Sequence, residues 1–96
     1  MSKRYYVYIL TNRMDTVFYI GITNNLVRRV WEHKNSVVES FTSKYKINKL
    51  VHFDVIDTSY EAIKREKQLK NWHRQWKINL IKEKNPDFKD LYDEII

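Results

Sequence analysis

The sequence predicts an α+β domain: a small three-stranded antiparallel sheet flanked by helices, in the order β-β-α-β-α-α. Three observations predict it. Two runs rich in Tyr, Val and Ile flank a polar turn near the start of the chain. An amphipathic stretch then separates that pair from a third apolar run around residue 53. Beyond it, no glycine or proline interrupts the segment from Tyr60 to Lys84, a length suited to helix and not to strand.

The elements follow in order. Arg4 to Thr11 and Val17 to Thr23 carry β-branched and aromatic residues, and Asn12 to Asp15 supplies the turn that pairs them as a hairpin. Thr23 or Asn24 can cap a helix running to Lys34. Asn35 to Lys46, with Ser36, Ser40, Thr42 and Ser43, reads as polar and irregular. Leu50 to Ile56 is the third strand. Thr58 or Ser59 then caps a helical region with Glu61 in its first turn, where the helix dipole favours an acid. A bend is expected near Asn71 to Arg74, and Pro86 ends the region. No repeat or linker divides the chain, so residues 1–96 form one domain.

Composition narrows the function classes. The 96 residues suit one modest core, and a 43% hydrophobic content with 15% aromatics belongs to a folding chain and not a disordered one. No apolar run approaches the roughly 18 residues needed to span a bilayer, and the N-terminus lacks a secretory pattern. The absence of cysteine excludes disulfides and thiolate zinc sites. A cytoplasmic location is expected. Lys and Arg number 18 against 12 acids, a net charge of +6. The excess is concentrated in Lys64, Arg65, Lys67, Lys70, Arg74 and Lys77, while the tail from Pro86 onward is acidic. Such a basic segment among aromatics points to nucleic acid, because phosphate contacts release counterions. A merely solvated helix face would look the same.

Helical geometry picks out individual residues. With Leu26 at 0°, Val30, Val27 and Trp31 fall at about 40°, 100° and 140°, a candidate buried stripe. Arg29 and His33 fall at about 300° and 340°, an i, i+4 pair at the stripe's edge, and Arg28 faces away at about 200°. Arg29 can stand at a cleft margin there, or simply pack its stem. On the next helix, with Tyr60 at 0°, Ala62, Leu69 and Ile63 define an apolar arc and Glu66 sits inside it at about 240°. A carboxylate there is costly unless a cation, a hydrogen-bond donor or a metal meets it. Its flanking cations offer a salt bridge, and a divalent ion such as Mg²⁺ meets the same need.

One glycine, Gly21, serves the whole chain, where an average usage of about 7% would give about seven. It lies in Tyr19-Ile20-Gly21 on the second strand, with Val7-Tyr8-Ile9 on the first, Arg29 on the helix and Glu66 on the next helix. This ordered set resembles the GIY-YIG nuclease superfamily over essentially the whole chain. The resemblance is to its small stand-alone bacterial members, through YVYIL, YIGIT, the Arg28-Arg29 pair, Glu32-His33, EAIKREKQLKNW and the later NPDF and DLY. It implies hydrolysis of a phosphodiester with one divalent ion, Mg²⁺ or Mn²⁺, bound by Glu66. Tyr8 would orient or deprotonate the attacking water with Tyr19 beside it, Arg29 would hold the phosphate, and His33 would assist. Gly21 would let the backbone pass closely beside the cleft, and Asn85, with Asn79 as rival, would support the metal-binding Glu. A free tyrosine ionises at about pH 10, and a basic, metal-containing cleft would lower that value.

The chain departs from the family pattern in carrying Tyr6 where the first motif has glycine. Tyr5, Tyr6, Phe18, Phe53, Trp72 and Trp76 are expected in the core or cleft wall. His33 has no second His at metal-ligand spacing. Three readings follow: an endonuclease, with DNA ahead of RNA and selectivity for structure or strand state at most; a nucleic-acid binder without catalysis; and a protein-interaction domain, for which the acidic tail speaks. The endonuclease reading requires Tyr8, Tyr19, Arg29 and Glu66 to converge on one open cleft of the sheet, and Tyr8 and Glu66 on opposite faces would overturn the site assignment.

Overall fold

The computed structural model describes residues 4–37 and 41–96; Ser40, in the segment read as irregular, lies outside them. The strands are β1 (Tyr5–Thr11), β2 (Phe18–Thr23) and β3 (Lys49–Ile56), and the helices are α1 (Leu26–Lys34), α2 (Phe41–Lys44), α3 (Ser59–Asn71), α4 (Arg74–Lys84) and α5 (Tyr92–Ile95). The sheet order is β2-β1-β3, both pairings antiparallel. As the middle strand with a layer on each face, β1 must be apolar on both alternations. Val7, Tyr8, Ile9 and Leu10 are accordingly all fully buried.

The two layers divide the core. Val7, Ile9, Ile20 and Val51 pack on one face with Ala62 and Leu69 of α3 and Ile81 of α4. Tyr8, Leu10 and Leu50 pack on the other with Leu26 and Val30 of α1 and with Ile47. Each fully buried aliphatic side chain contributes about 1.5–3 kcal/mol. A bulge between Ile9 and Leu10 in the β1–β3 pairing leaves Val51 as the extra residue. The segment after α4 fastens to that place. Asn85 Nδ2 donates to the Val51 carbonyl at 3.1 Å, Leu50 N–H to Asp90 Oδ1 at 3.2 Å, and Leu91 N–H to the Leu50 carbonyl at 2.7 Å. An edge strand is thereby covered and not left open to pairing.

Local chemistry sets the element ends. Asn12 Oδ1 accepts from the N–H groups of Thr16 and Val17, closing the hairpin loop. The α1 cap is Asn25, whose side chain accepts from Arg28 N–H, and not Thr23 or Asn24; Thr58 caps α3. The expected bend falls at Trp72–His73, between α3 and α4. Two short helices, α2 and α5, escape the pattern because one turn carries no periodicity. Among the described residues, no helix is long and apolar enough to cross a membrane.

The predicted stripe on α1 is wrong on one side. Val27 and Trp31 are exposed, and only Leu26 and Val30 are buried. The helix rests on the sheet through the edge shared with His33, so its inward direction is rotated toward Arg29. On α3 the buried arc is likewise narrower than periodicity suggested, since Ile63 is exposed and Ala62 and Leu69 are not. Trp76, expected in the core or cleft wall, is also exposed, its ring edge-on to His73. Tyr6 and Phe53 pack against the Tyr8 cluster, and Tyr5, Phe18 and Trp72 against the opposite one.

Candidate active site

Tyr8 stands directly across from Gly21 in the β1–β2 register. A Cβ on Gly21 would lie 2.3 Å from both Cζ and Oη of Tyr8, and 2.8 Å from Cε2. The tyrosine ring therefore crosses over the glycine, and no other residue leaves it room. This corrects the expectation of a close backbone passage: Gly21 sits within a regular strand, and its φ is not in the left-handed region. What it supplies is the missing side chain.

The ring carries the Tyr8 hydroxyl to His33, with Nε2 at 3.2 Å. His33 Nδ1 lies 2.8 Å from Thr42 Oγ1 on α2. Tyr19 completes a cluster of three rings, with centroids 5.6 Å from His33 and 6.3 Å from Tyr8. One turn before His33, Arg29 lies against the Tyr8 hydroxyl and pairs through Nε with Glu32 at 3.2 Å. Tyr19, Arg29, Glu32, His33, Phe41 and Thr42, with Ser36 and Ser43, line one cavity of about 480 Å³. Arg28 points away into solvent, as helical spacing required.

Electrostatics fixes the protons. Burial pushes the Tyr8 phenol well above its ordinary value, the neighbouring Tyr19 adds to the shift, and Arg29 opposes it without prevailing. The expected lowering by a basic cleft is thus reversed in the chain by itself, because one half-exposed guanidinium offsets less than the desolvation of a buried ring. His33 moves the other way. Burial, then the Arg29 charge, hold its imidazole below the usual value, against a smaller pull from Glu32. At neutral pH Tyr8 is protonated and His33 is neutral. The arrangement that satisfies both rings has Tyr8 O–H donating to Nε2 and Nδ1–H donating to Thr42 Oγ1.

Glu66 comes from the opposite layer. It rides on α3 beneath the sheet, its side chain 18% exposed and 3.7 Å from Lys70 Nζ. It does not line the cavity, yet its charge is felt at the Tyr8 phenol. The edge strand β2 explains how, since α3 packs against it and Tyr8 crosses it at Gly21. Tyr8, Tyr19, Arg29 and His33 therefore cluster, with Tyr8 fully buried behind the cavity. Glu66 lies in the opposite layer and outside the cavity, so in the free chain these residues do not converge with Glu66 on one open cleft as the endonuclease reading required. Among the described residues no group of three or more His, Asp or Glu could cage a metal. A lone, largely buried carboxylate suits Mg²⁺, which keeps several waters and uses one or two carboxylates with substrate phosphates. It does not suit an ion held by protein alone.

Other sequence candidates have different employment. Asn85 is buried, and its side chain donates to the Val51 and Lys89 carbonyls and accepts from Lys89 N–H. It joins α4 to β3 and touches none of the site residues; Asn79 is exposed and bonded to Gln75. Arg65 donates to Asp54 and Gln68. Arg74 donates to the carbonyls of Asp15 and Thr16 and lies over the Phe18 ring. Both guanidinium groups are structural clamps, which leaves Lys64, Lys67 and Lys77, and Lys70 loosely beside Glu66, as the members of the predicted basic set without such a clamp. Glu32 and Thr42 were missed. Glu32 was findable, because it stands three residues after Arg29, the spacing of a helical ion pair. Thr42 gave no signal, since only tertiary packing brings α2 under His33.

Known proteins give the same outline. Residues 4–79 match the family described as the GIY-YIG catalytic domain. The chain is 39% identical over 88 residues to a UPF0213 protein of Syntrophus aciditrophicus, covering 91% of this chain and 98% of that one. It is 38% identical over 90 residues to UPF0213 protein CPE1444 of Clostridium perfringens, covering 94% and 96%. The solution NMR structure of UPF0213 protein BH0048 from Bacillus halodurans superposes with a TM-score of 0.58 at 25% identity, covering 91% of this chain and 92% of that one.

Proposed function

The chain belongs to the GIY-YIG catalytic domain family, and from that premise we propose that it is an endonuclease that hydrolyses phosphodiester bonds, in DNA ahead of RNA, with one Mg²⁺ or Mn²⁺ ion. The observation that carries the reading is the hydrogen-bonded run from Tyr8 to His33 to Thr42, opening beside Arg29 into one cavity. Arg29 holds the scissile phosphate by charge-assisted hydrogen bonds, exchanging Glu32 for the substrate. Tyr8 is fully buried in the free chain, so the water that attacks phosphorus hydrogen-bonds to the Tyr8 oxygen once substrate entry uncovers it. As its oxygen bonds to phosphorus and the ester P–O bond breaks, its proton passes to Tyr8 while the Tyr8 proton passes to His33 Nε2. The leaving oxygen departs with the bonding electrons and takes a proton from solvent. A neutral imidazole is the acceptor this transfer needs. Glu66 would hold the ion, which when bound supplies charge stabilisation to the phosphate and the leaving oxygen.

The test is Glu66→Gln, followed by cleavage rate and melting temperature together. Labelled branched, duplex and single-stranded substrates are incubated with Mg²⁺, Mn²⁺ or EDTA. Cleavage is expected to collapse by orders of magnitude, with fold and metal-free affinity kept. Stability should change little, because the Lys70 partner is loose and half exposed. A variant that cleaves normally but loses about 3–5 kcal/mol of stability would make Glu66 a buried ion-pair partner and remove the metal from the account.

A further inference from the structure

We infer that Phe41 and Tyr45 form a stacking platform for an unpaired nucleobase next to the phosphate held by Arg29, an inference that rests on the nuclease reading. The single turn of α2 faces two ways. Thr42 is buried beneath His33 and bonded to its Nδ1, whereas Phe41 and Tyr45, four residues apart, point outward and are 52% and 48% exposed. Their ring centroids are 4.7 Å apart and their planes meet at 48°, so they form one packed aromatic pair with exposed faces on which a base can stack. Phe41 lines the same cavity as Arg29 and Tyr19.

Charge identifies the occupant. Lys44 Nζ lies 5.5 Å from the Tyr45 ring centroid, on the platform itself, and Arg29 stands across the cavity. An aromatic surface between two cations matches a strand of nucleic acid, whose bases alternate with phosphates, better than an apolar peptide. A base inside a duplex has both faces stacked on its neighbours and offers none to a protein ring. An unpaired base does. The platform thus selects strands that are single, splayed or mismatched beside the cut. Because Thr42 belongs to the same turn, a base seated there also holds α2 against His33.

Binding is measured with the full chain in EDTA, using a labelled oligonucleotide as single strand, as blunt duplex, and with abasic sites in place of its bases. The double variant Phe41→Ala, Tyr45→Ala is compared with Tyr45→Phe. The double variant is expected to melt like the wild type, since both rings are half exposed, and to bind the single strand about tenfold more weakly or worse. Duplex affinity should stay unchanged, and Tyr45→Phe should behave as wild type. Abasic sites should weaken wild-type binding but not weaken the double variant further. A 2-aminopurine beside the cut should be quenched by the wild type and not by the variant. Single-strand affinity that survives the double substitution, or falls equally for strand and duplex, would overturn the platform while leaving the nuclease reading intact. Failure of the wild type to bind any of the probes would overturn both.

Discussion

At the scale of single residues, Gly21 and Tyr8 are one feature seen from two strands. Gly21→Ala places a methyl group inside the space of the Tyr8 ring. The ring must move, with an overpacking cost of about 1–3 kcal/mol and loss of the Tyr8–His33 contact. Thermal melts should therefore show Gly21→Ala destabilised and nearly inactive. In a Tyr8→Ala background the same substitution should cost little, and a double-mutant cycle measures that coupling. His33 gives a pH prediction. Its folded pKa lies below the unfolded value of 6.5, so the unfolded chain binds more protons in between. That contribution is fully present above about pH 6.5 and is lost as pH falls through the depressed folded value. Denaturant melts across this range should show wild-type stability falling on acidification more than that of His33→Gln. Cleavage should fall in the same direction as His33 protonates. The motif residues at this scale were legible because their chemistry requires particular side chains. Glu66 also stood out as an acid on an apolar arc, although the structure trims that arc and leaves Glu66 at its margin.

At the scale of elements, the clamps outside the site decide what holds the layers together. Asn85→Ala removes three side-chain hydrogen bonds at the joint of α4, β3 and the following loop. With the backbone partners left buried, it should cost about 1–3 kcal/mol. Cleavage by the folded fraction should be unchanged, and the melting temperature and specific activity measured together distinguish this from a site-supporting role. Arg74→Lys should loosen the Asp15–Thr16 turn, because an ammonium cannot span two carbonyls as the guanidinium fork does. Faster amide exchange in residues 12–17 would register it. The strands and long helices were readable from β-branched runs and from uninterrupted length. Helix rotation was not, as exposed Val27 and Trp31 attest.

At the scale of the whole molecule, a net charge of +6 predicts nucleic-acid affinity that falls steeply with salt. Binding measured from low to physiological salt should weaken about tenfold or more. Arg29→Ala should reduce the slope of log K against log salt by about one, the loss of one phosphate contact. Arg65→Gln, which removes the charge, should leave it nearly unchanged, because Arg65 already serves Asp54 and Gln68. Affinity independent of salt would favour a protein partner instead.

The amino-acid order by itself determined the strands and long helices, the single glycine in a tyrosine-rich hairpin, and the identity of Tyr8, Tyr19, Arg29, His33 and Glu66 as the residues to watch. These are local matters of backbone propensity, helical spacing and side-chain chemistry. The tertiary structure alone decided that Gly21 is needed for the ring of Tyr8 and not for its own backbone. It decided that burial, outweighing Arg29, keeps Tyr8 protonated, and that Thr42 meets His33. It also separated Arg65 and Arg74 from the cations open to phosphate, and placed Glu66 in the far layer, outside the cavity. Each depends on which surfaces face each other across strands and layers, and desolvation and contact exist only once the chain has closed on itself.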